Sequence, residues 1–253
     1  MLMGISMYML GRDIFFKYAK ESFEERHLTN NGPAVKELEC QLAEFHGVNN
    51  CIAFSDCYTT MYITLHCLAR PGKKEVVVPF LSCRQITDII AWAGLSPCFY
   101  DVAPDVFSLY PELARASINE NTDLILAVHP IAGLCDIDGL ENLAKEYSLP
   151  LFFDSVDAFG STHKGGMLGG FGDCEAFSMP LGEALKNSEL GYITTNNDDL
   201  AHTLKVARAF GFFGHDNIIM LGHNAKLNEL HAALGLAALA DIKRRFTENS
   251  AKP

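Results

Sequence analysis

The chain has 253 residues, 49% of them hydrophobic, with no apolar run long enough to span a bilayer, which fits a soluble globular fold with a sizeable core. Its formal net charge of -11 argues against nucleic acid and anionic membranes as partners. Eight cysteines are scattered without a CxxC pair, which speaks against zinc and dithiol redox sites and fits buried free thiols of a cytoplasmic protein.

The first ten residues, Met1 to Leu10, are apolar but lack a basic flank and a small-residue cleavage site, so they read as mature sequence. Val35, Leu38, Leu42 and Phe45 then fall at helical spacing after Pro33, and Gly47 closes that helix. Short strand-like runs follow at 51–54, 75–80, 97–102, 123–129, 149–154, 174–179 and 191–195. Helical stretches lie between several of them, near 58–69, 84–93, 138–148 and 198–208. The run Ile86 to Ala93 carries Asp88 and is too short to cross a membrane. Continuous apolar strands with intervening helices predict an α/β fold, a mostly parallel sheet covered on both faces. Such sheets bind ligands beyond the carboxyl ends of their strands, which singles out Ser55 to Tyr58, Asp154 to Asp157, and Ser178. Gly165 to Gly172 is glycine-rich but sits between two strand-like runs, so a turn or hairpin is expected rather than a dinucleotide loop. The last long element, Leu227 to Arg245, is apolar nearly all round, as an internal or subunit-interface helix would be. The histidines at 163, 202, 215, 223 and 231 have no metal-ligand spacing, and no GxSxG or Cys/His nucleophile pattern is present.

Four stretches, in this order and spacing, carry a resemblance: Leu28-Thr-Asn-Asn-Gly-Pro33; Ala127-Val-His with Gly133-Leu-Cys-Asp-Ile-Asp138; Phe153-Asp-Ser-Val-Asp-Ala-Phe-Gly160; and Gly222 to Leu236. Together they make the chain similar to the DegT/DnrJ/EryC1/StrS family of nucleotide-sugar aminotransferases over nearly its whole length. The resemblance implies the aspartate-aminotransferase type I fold, a dimer, and pyridoxal phosphate as cofactor. Residues 1–253 are then expected to form the large, cofactor-binding type of domain with a seven-stranded sheet and an N-terminal segment 1–32. The family's smaller C-terminal domain is expected to be missing.

The resemblance also assigns roles. Asp154 matches the acid that pairs with the pyridine nitrogen and keeps the ring an electron sink. Ser178 matches the phosphate-binding serine. In the family a lysine five residues after that serine forms the Schiff base, and here that position is Glu183. A carboxylate cannot form an imine. Lys186 lies three residues further on, but no gap is needed between Ser178 and Glu189, so it reads as a surface lysine. Other positions depart as well. The Gly-Thr pair at a helix N-terminus that cradles the phosphate is Cys57-Tyr58, where Tyr58 is expected to crowd the phosphate and Asp56 to cap the helix. The stacking aromatic is Cys83, the residue that contacts the ring oxygen is Asp157, and the Gly-Gly after Glu189 is Leu190-Gly191. This chain's own pocket is therefore expected not to hold the cofactor productively.

A family loop of pattern Gly-x-Asn-x-Arg/Lys reaches the partner subunit's cofactor phosphate, and here it reads Gly222-His-Asn224-Ala-Lys226. The alternative for Asn224 and Lys226 is a helix N-cap and a first-turn surface lysine. Three functional readings follow. The first is a non-catalytic subunit of a heterodimeric sugar aminotransferase, whose full-length lysine-bearing paralogue holds pyridoxal phosphate and transfers an amino group from glutamate to a keto nucleotide sugar. The second is an enzyme of altered chemistry, such as a sugar dehydratase, with Glu183 as general base. The third is a regulatory protein that kept only the fold.

Overall fold

The computed structural model describes residues 12–101, 110–130, 133–179, 189–214 and 216–250, the last two by backbone alone. Helix α1 (Arg12–Glu24) precedes α2 (Pro33–His46), and the chain then alternates strands and helices. These are β1 (Asn50–Phe54), α3 (Cys57–Leu68), β2 (Glu75–Pro79), α4 (Ile86–Trp92), β3 (Ser96–Tyr100), α5 (Pro111–Ser117), β4 (Thr122–Val128), α6 (Ile137–Tyr147) and β5 (Leu151–Asp154). A 3-10 turn (Val156–Ala158) leads to a hairpin of β6 (Thr162–His163) and β7 (Gly166–Met167), then to β8 (Cys174–Ser178), β9 (Gly191–Thr195) and α7 (Asp198–Ala207). A second hairpin, β10 (Phe212–Phe213) and β11 (Asn217–Ile218), precedes α8 (Glu229–Ser250).

Seven strands form one sheet in the order β1-β9-β8-β5-β4-β2-β3. It is parallel from β8 to β3, and β9 alone runs antiparallel to both its neighbours. The expected mostly parallel α/β sheet is present. Successive strand residues point to opposite faces, and both faces of the central strands are buried, so β4 and β5 read as largely apolar runs while β8 carries the buried Glu175. Ala53, Ile125, Phe153, Phe177 and Tyr192 pack under α2, α6 and α8. Ile52, Phe54, Leu126, Phe152 and Ala176 pack under α3, α4 and α7.

Helix α2 opens with Pro33, whose missing amide costs nothing in a first turn, and closes with Gly47 at φ 69°. Its N-terminal amides are taken by a residue far away in sequence. The buried Glu229 carboxylate accepts from Gly32 N at 2.8 Å and from Ala34 N at 2.7 Å. Two stretches that carried the family resemblance are thus bonded to each other. Gly32 lets the carboxylate sit this close, because a Cβ would lie 2.6 Å from Glu229 Cδ and push it off the two amides.

Strand β1 is an edge of the sheet, and unpaired edge groups invite association with other chains. The outer groups of Ala53 are closed by side chains. Its amide donates to Glu39 Oε1 at 2.9 Å, and its carbonyl accepts from Arg208 Nη1 at 2.5 Å. Arg208 also pairs with Glu39 at 2.5 Å and donates to Asn31 Oδ1 at 2.9 Å. The segment 224–227 covers the rest of that edge, with Ser55 N donating to Ala225 O and a bridge between Phe54 and Lys226.

Two expectations need revision, and a third holds. The last helix starts at Glu229 rather than Leu227, and its end is capped by Asn228, whose side chain accepts from His231 N at 3.0 Å. Asn224 is therefore not its N-cap and Lys226 not in its first turn. Cys40 and Cys83 are exposed, so burial holds for only some of the eight free thiols. The glycine-rich stretch is the expected hairpin, followed by a loop that wraps the Glu175 carboxylate, which accepts from Gly169 N, Phe171 N and Ser155 Oγ.

Candidate cofactor and partner site

The site is built at the carboxyl end of the sheet, on the face covered by α3. Asp154 ends β5 in register with Ala176 of β8, so Ser178, two residues on, points to the same face. Backbone bonds from His129 N to Asp154 O and from Ser155 N to Ala176 O fix that strand end. The Asp154 carboxyl is buried, accepts only a 3.2 Å bond from Val156 N, and takes part in no ion pair among the described residues. Burial first, and the charge of Asp157 second, push its pKa up to about 6, with the Val156 amide opposing them.

The mouth of α3 lies above it. Asp56 Oδ1 accepts from Thr59 N at 2.7 Å, while Oδ2 accepts from Thr59 Oγ1 at 2.5 Å and from Ser55 Oγ at 2.8 Å. The expected cap is present and uses both carboxylate oxygens. Gly191 of β9 passes directly beneath, where a Cβ would meet Cys57 Cα at 2.6 Å and Asp56 O at 2.7 Å. That contact gives the Leu190-Gly191 pair a reason: Leu190 is buried, and only glycine fits after it. The Tyr58 ring packs edge-on against Tyr62, four residues along α3, and Tyr62 packs against His223 of the 222–226 loop.

The pocket is acidic. Burial raises the pKa of the Cys57 thiol well above its ordinary value, and Asp154, Asp56, Cys83 and Glu189 push it the same way. Cys83, whose surface is exposed, is raised by partial desolvation of its thiol and by Asp154 and Asp157, against the Gln85 and Ile86 amides. The fold thus brings Asp154, Asp157 and Glu189 near the Cys57 and Cys83 thiols. A thiol held as strongly neutral as that of Cys57 is a poor nucleophile. No cluster that could hold a metal ion occurs among the described residues. Glu183 and Lys186 lie outside the described residues.

The loop from Gly222 to Lys226 faces outward. Asn224 is exposed at a bridge to Ala209, and Lys226 Nζ sits 4.3 Å over the Phe210 ring. Beside it the β10–β11 hairpin exposes Phe213, Ile218, Ile219 and Leu221.

The sequence profile of the DegT/DnrJ/EryC1/StrS aminotransferase family matches residues 11–252. The chain belongs to that family. It is 29% identical over 227 residues to GDP-perosamine synthase of Caulobacter vibrioides, covering 89% of this chain and 61% of that protein. It is 30% identical over 212 residues to UDP-2-acetamido-2-deoxy-3-oxo-D-glucuronate aminotransferase of Pseudomonas aeruginosa, covering 82% and 58%. Among solved structures, that of DesI in the presence of its TDP-sugar product superposes with a TM-score of 0.84 at 28% identity, covering 93% of this chain and 61% of DesI. The type I aminotransferase fold is therefore shared. The chain spans about 61% of the length of such relatives.

A pocket of this family is asked for a partner to the pyridine nitrogen, a cradle for the phosphate and a lysine. Asp154 fits the first requirement: a protonated ring nitrogen would give its buried carboxyl group a cation that no described residue supplies. The cradle does not fit. The Thr59 amide and the Ser55 and Thr59 hydroxyls are already given to Asp56, whose carboxyl group stands at the mouth where a phosphate would enter. The residue that the resemblance aligns with the lysine, Glu183, lies outside the described residues.

Proposed function

We propose that this chain is the non-catalytic subunit of a heterodimeric, pyridoxal-phosphate-dependent sugar aminotransferase. Its partner is a full-length, lysine-bearing family member that transfers an amino group, from glutamate, to a keto nucleotide sugar. The chain contributes Asn224 and Lys226 to the phosphate of the partner's cofactor. Its own pocket holds no working cofactor, so Ser178 is vestigial there and Asp154 keeps only its inherited position.

One contrast supports this reading. The mouth of α3, which would serve the chain's own site, is closed by Asp56, while the 222–226 loop keeps the exposed Asn224 amide and, two residues on, the Lys226 ammonium over Phe210. Both loop groups are hydrogen-bond donors of the kind that an anionic phosphate takes. Eight cysteines without a disulfide fit a reducing compartment, and we assign the protein to the cytoplasm. No helix among the described residues is long and apolar enough to cross a membrane.

The test is reconstitution. A lysine-bearing family member from the same cell is purified alone and with this chain, and sugar amination is followed. Co-purification together with a gain in activity is the expected result. A partner fully active alone, which never co-purifies, ends the proposal.

A second reading rests on Asp154, whose unpaired buried carboxyl is still suited to a pyridinium. An altered-chemistry enzyme would bind the cofactor in this pocket without a covalent link. A cofactor absorbance band in the purified chain would favour it.

A further inference from the structure

We infer that Asp56 does the structural work of a cofactor phosphate in this chain, so that the domain reaches its folded state with an empty cradle. An α-helix of this length leaves its first amides without internal partners, and those amides attract negative charge. In α3 the charge is supplied from within. One oxygen of Asp56 takes the Thr59 amide at 2.7 Å; the other takes the Thr59 hydroxyl at 2.5 Å and the Ser55 hydroxyl at 2.8 Å. The Asp56 carbonyl in turn accepts from the Thr60 hydroxyl at 2.6 Å and from the Thr60 amide at 3.1 Å. Gly191 packs on the Asp56 carbonyl and on Cys57 Cα from below, so the turn cannot drop away from the carboxylate. The amides of Cys57 and Tyr58 complete the mouth, and Asp154 and Glu189 lie near enough to act on the Cys57 thiol. A phosphate entering here would meet like charge, and three donors beside the Cys57 and Tyr58 amides, Thr59 N and the Ser55 and Thr59 hydroxyls, are already given to Asp56.

The inference concerns this chain's own cradle and is separable from the partner reading: it can fail while the accessory role stands, and the reverse. The experiment uses the full chain and two probes, inorganic phosphate and pyridoxal phosphate, with thermal unfolding and equilibrium binding as readouts. Wild type is expected to give no saturable shift in midpoint with either probe at millimolar concentration. Asp56→Asn keeps an oxygen that can accept from Thr59 N and removes the charge; Asp56→Ser keeps a shorter cap. Either variant is expected to bind phosphate about tenfold or more tightly than wild type, the effect of removing one unit charge at contact distance near a protein surface. Added phosphate should restore part of the midpoint lost on substitution. A saturable wild-type shift with either probe overturns the inference, and so does a folded variant whose phosphate affinity is unchanged. If neither variant folds, the wild-type titration alone decides.

Discussion

The Glu229 carboxylate and the Gly32 amide meet at 2.8 Å across 197 residues of chain, and the same carboxylate takes Ala34 N at 2.7 Å. A single buried acid thereby caps α2 and ties the start of α8 to it. Charged hydrogen bonds of this kind contribute about 1.5–3 kcal/mol each. Glu229→Gln turns one acceptor into a donor that faces an amide, and it should lower unfolding free energy by about 2–3 kcal/mol. Gly32→Ala should be comparably harmful, since its Cβ falls on the carboxylate. Urea unfolding of the two variants measures both effects, and the double variant should cost less than the sum.

Asp154 gives a pH signature of opposite sign to a capping acid. Its folded-state pKa is raised to about 6 from an ordinary 3.8. Between those values the folded chain binds the proton more tightly than the unfolded chain does, so this group's contribution to stability falls as pH rises through that window and stays low above it. Asp154→Asn should therefore raise stability at pH near 7.5 by about 1–3 kcal/mol. The gain should vanish below pH about 4, where both states are protonated. Thermal unfolding of both proteins across that range provides the check; a variant less stable at neutral pH would mean that an unseen cation pairs with Asp154.

Arg208 and Glu39 are a buried pair that closes the edge of β1. Arg208→Met leaves Glu39 buried without its counter-charge and the Ala53 carbonyl without its donor. Removing one partner of such a pair costs about 3–5 kcal/mol. Changing Glu39 to Met as well should recover part of that loss, because no lone charge then stays buried. Light scattering should also report more self-association of Arg208→Met, since the strand edge is opened.

Much of this architecture is legible in the sequence because burial leaves a pattern. The strands around Leu124, Phe152 and Tyr192 are apolar on both faces, and Pro33 and Gly47 mark the ends of α2 by their backbone demands. What escapes is whatever periodicity cannot carry. The reversed direction of β9 has the same pattern as a parallel strand. The cap from Glu229 to α2 joins residues too distant for any local motif. Helix α1 has no strong apolar stripe before α8 packs on it, and Pro111 opens a helix too short to be periodic. In the site, the cap at Asp56 follows from an acid before a helix. The role of Gly191 does not, because it depends on how closely β9 passes α3. Tyr58 is another case: its ring rests on Tyr62, and the closing charge at the mouth comes from Asp56.

Asn224 and Lys226 carry the central claim. Asn224 is exposed, and Lys226 touches its own chain chiefly through Phe210, so changing both to Ala should alter this chain's stability by less than about 1 kcal/mol. The decisive measurement is the amination rate of a lysine-bearing partner reconstituted with wild type or with the Asn224→Ala, Lys226→Ala chain, the two complexes matched for assembly. The account predicts that the double variant still assembles but loses at least about tenfold in rate and in the partner's affinity for pyridoxal phosphate, as expected when charged donors to a phosphate are removed. Equal rates and equal cofactor affinity in the two complexes would contradict it.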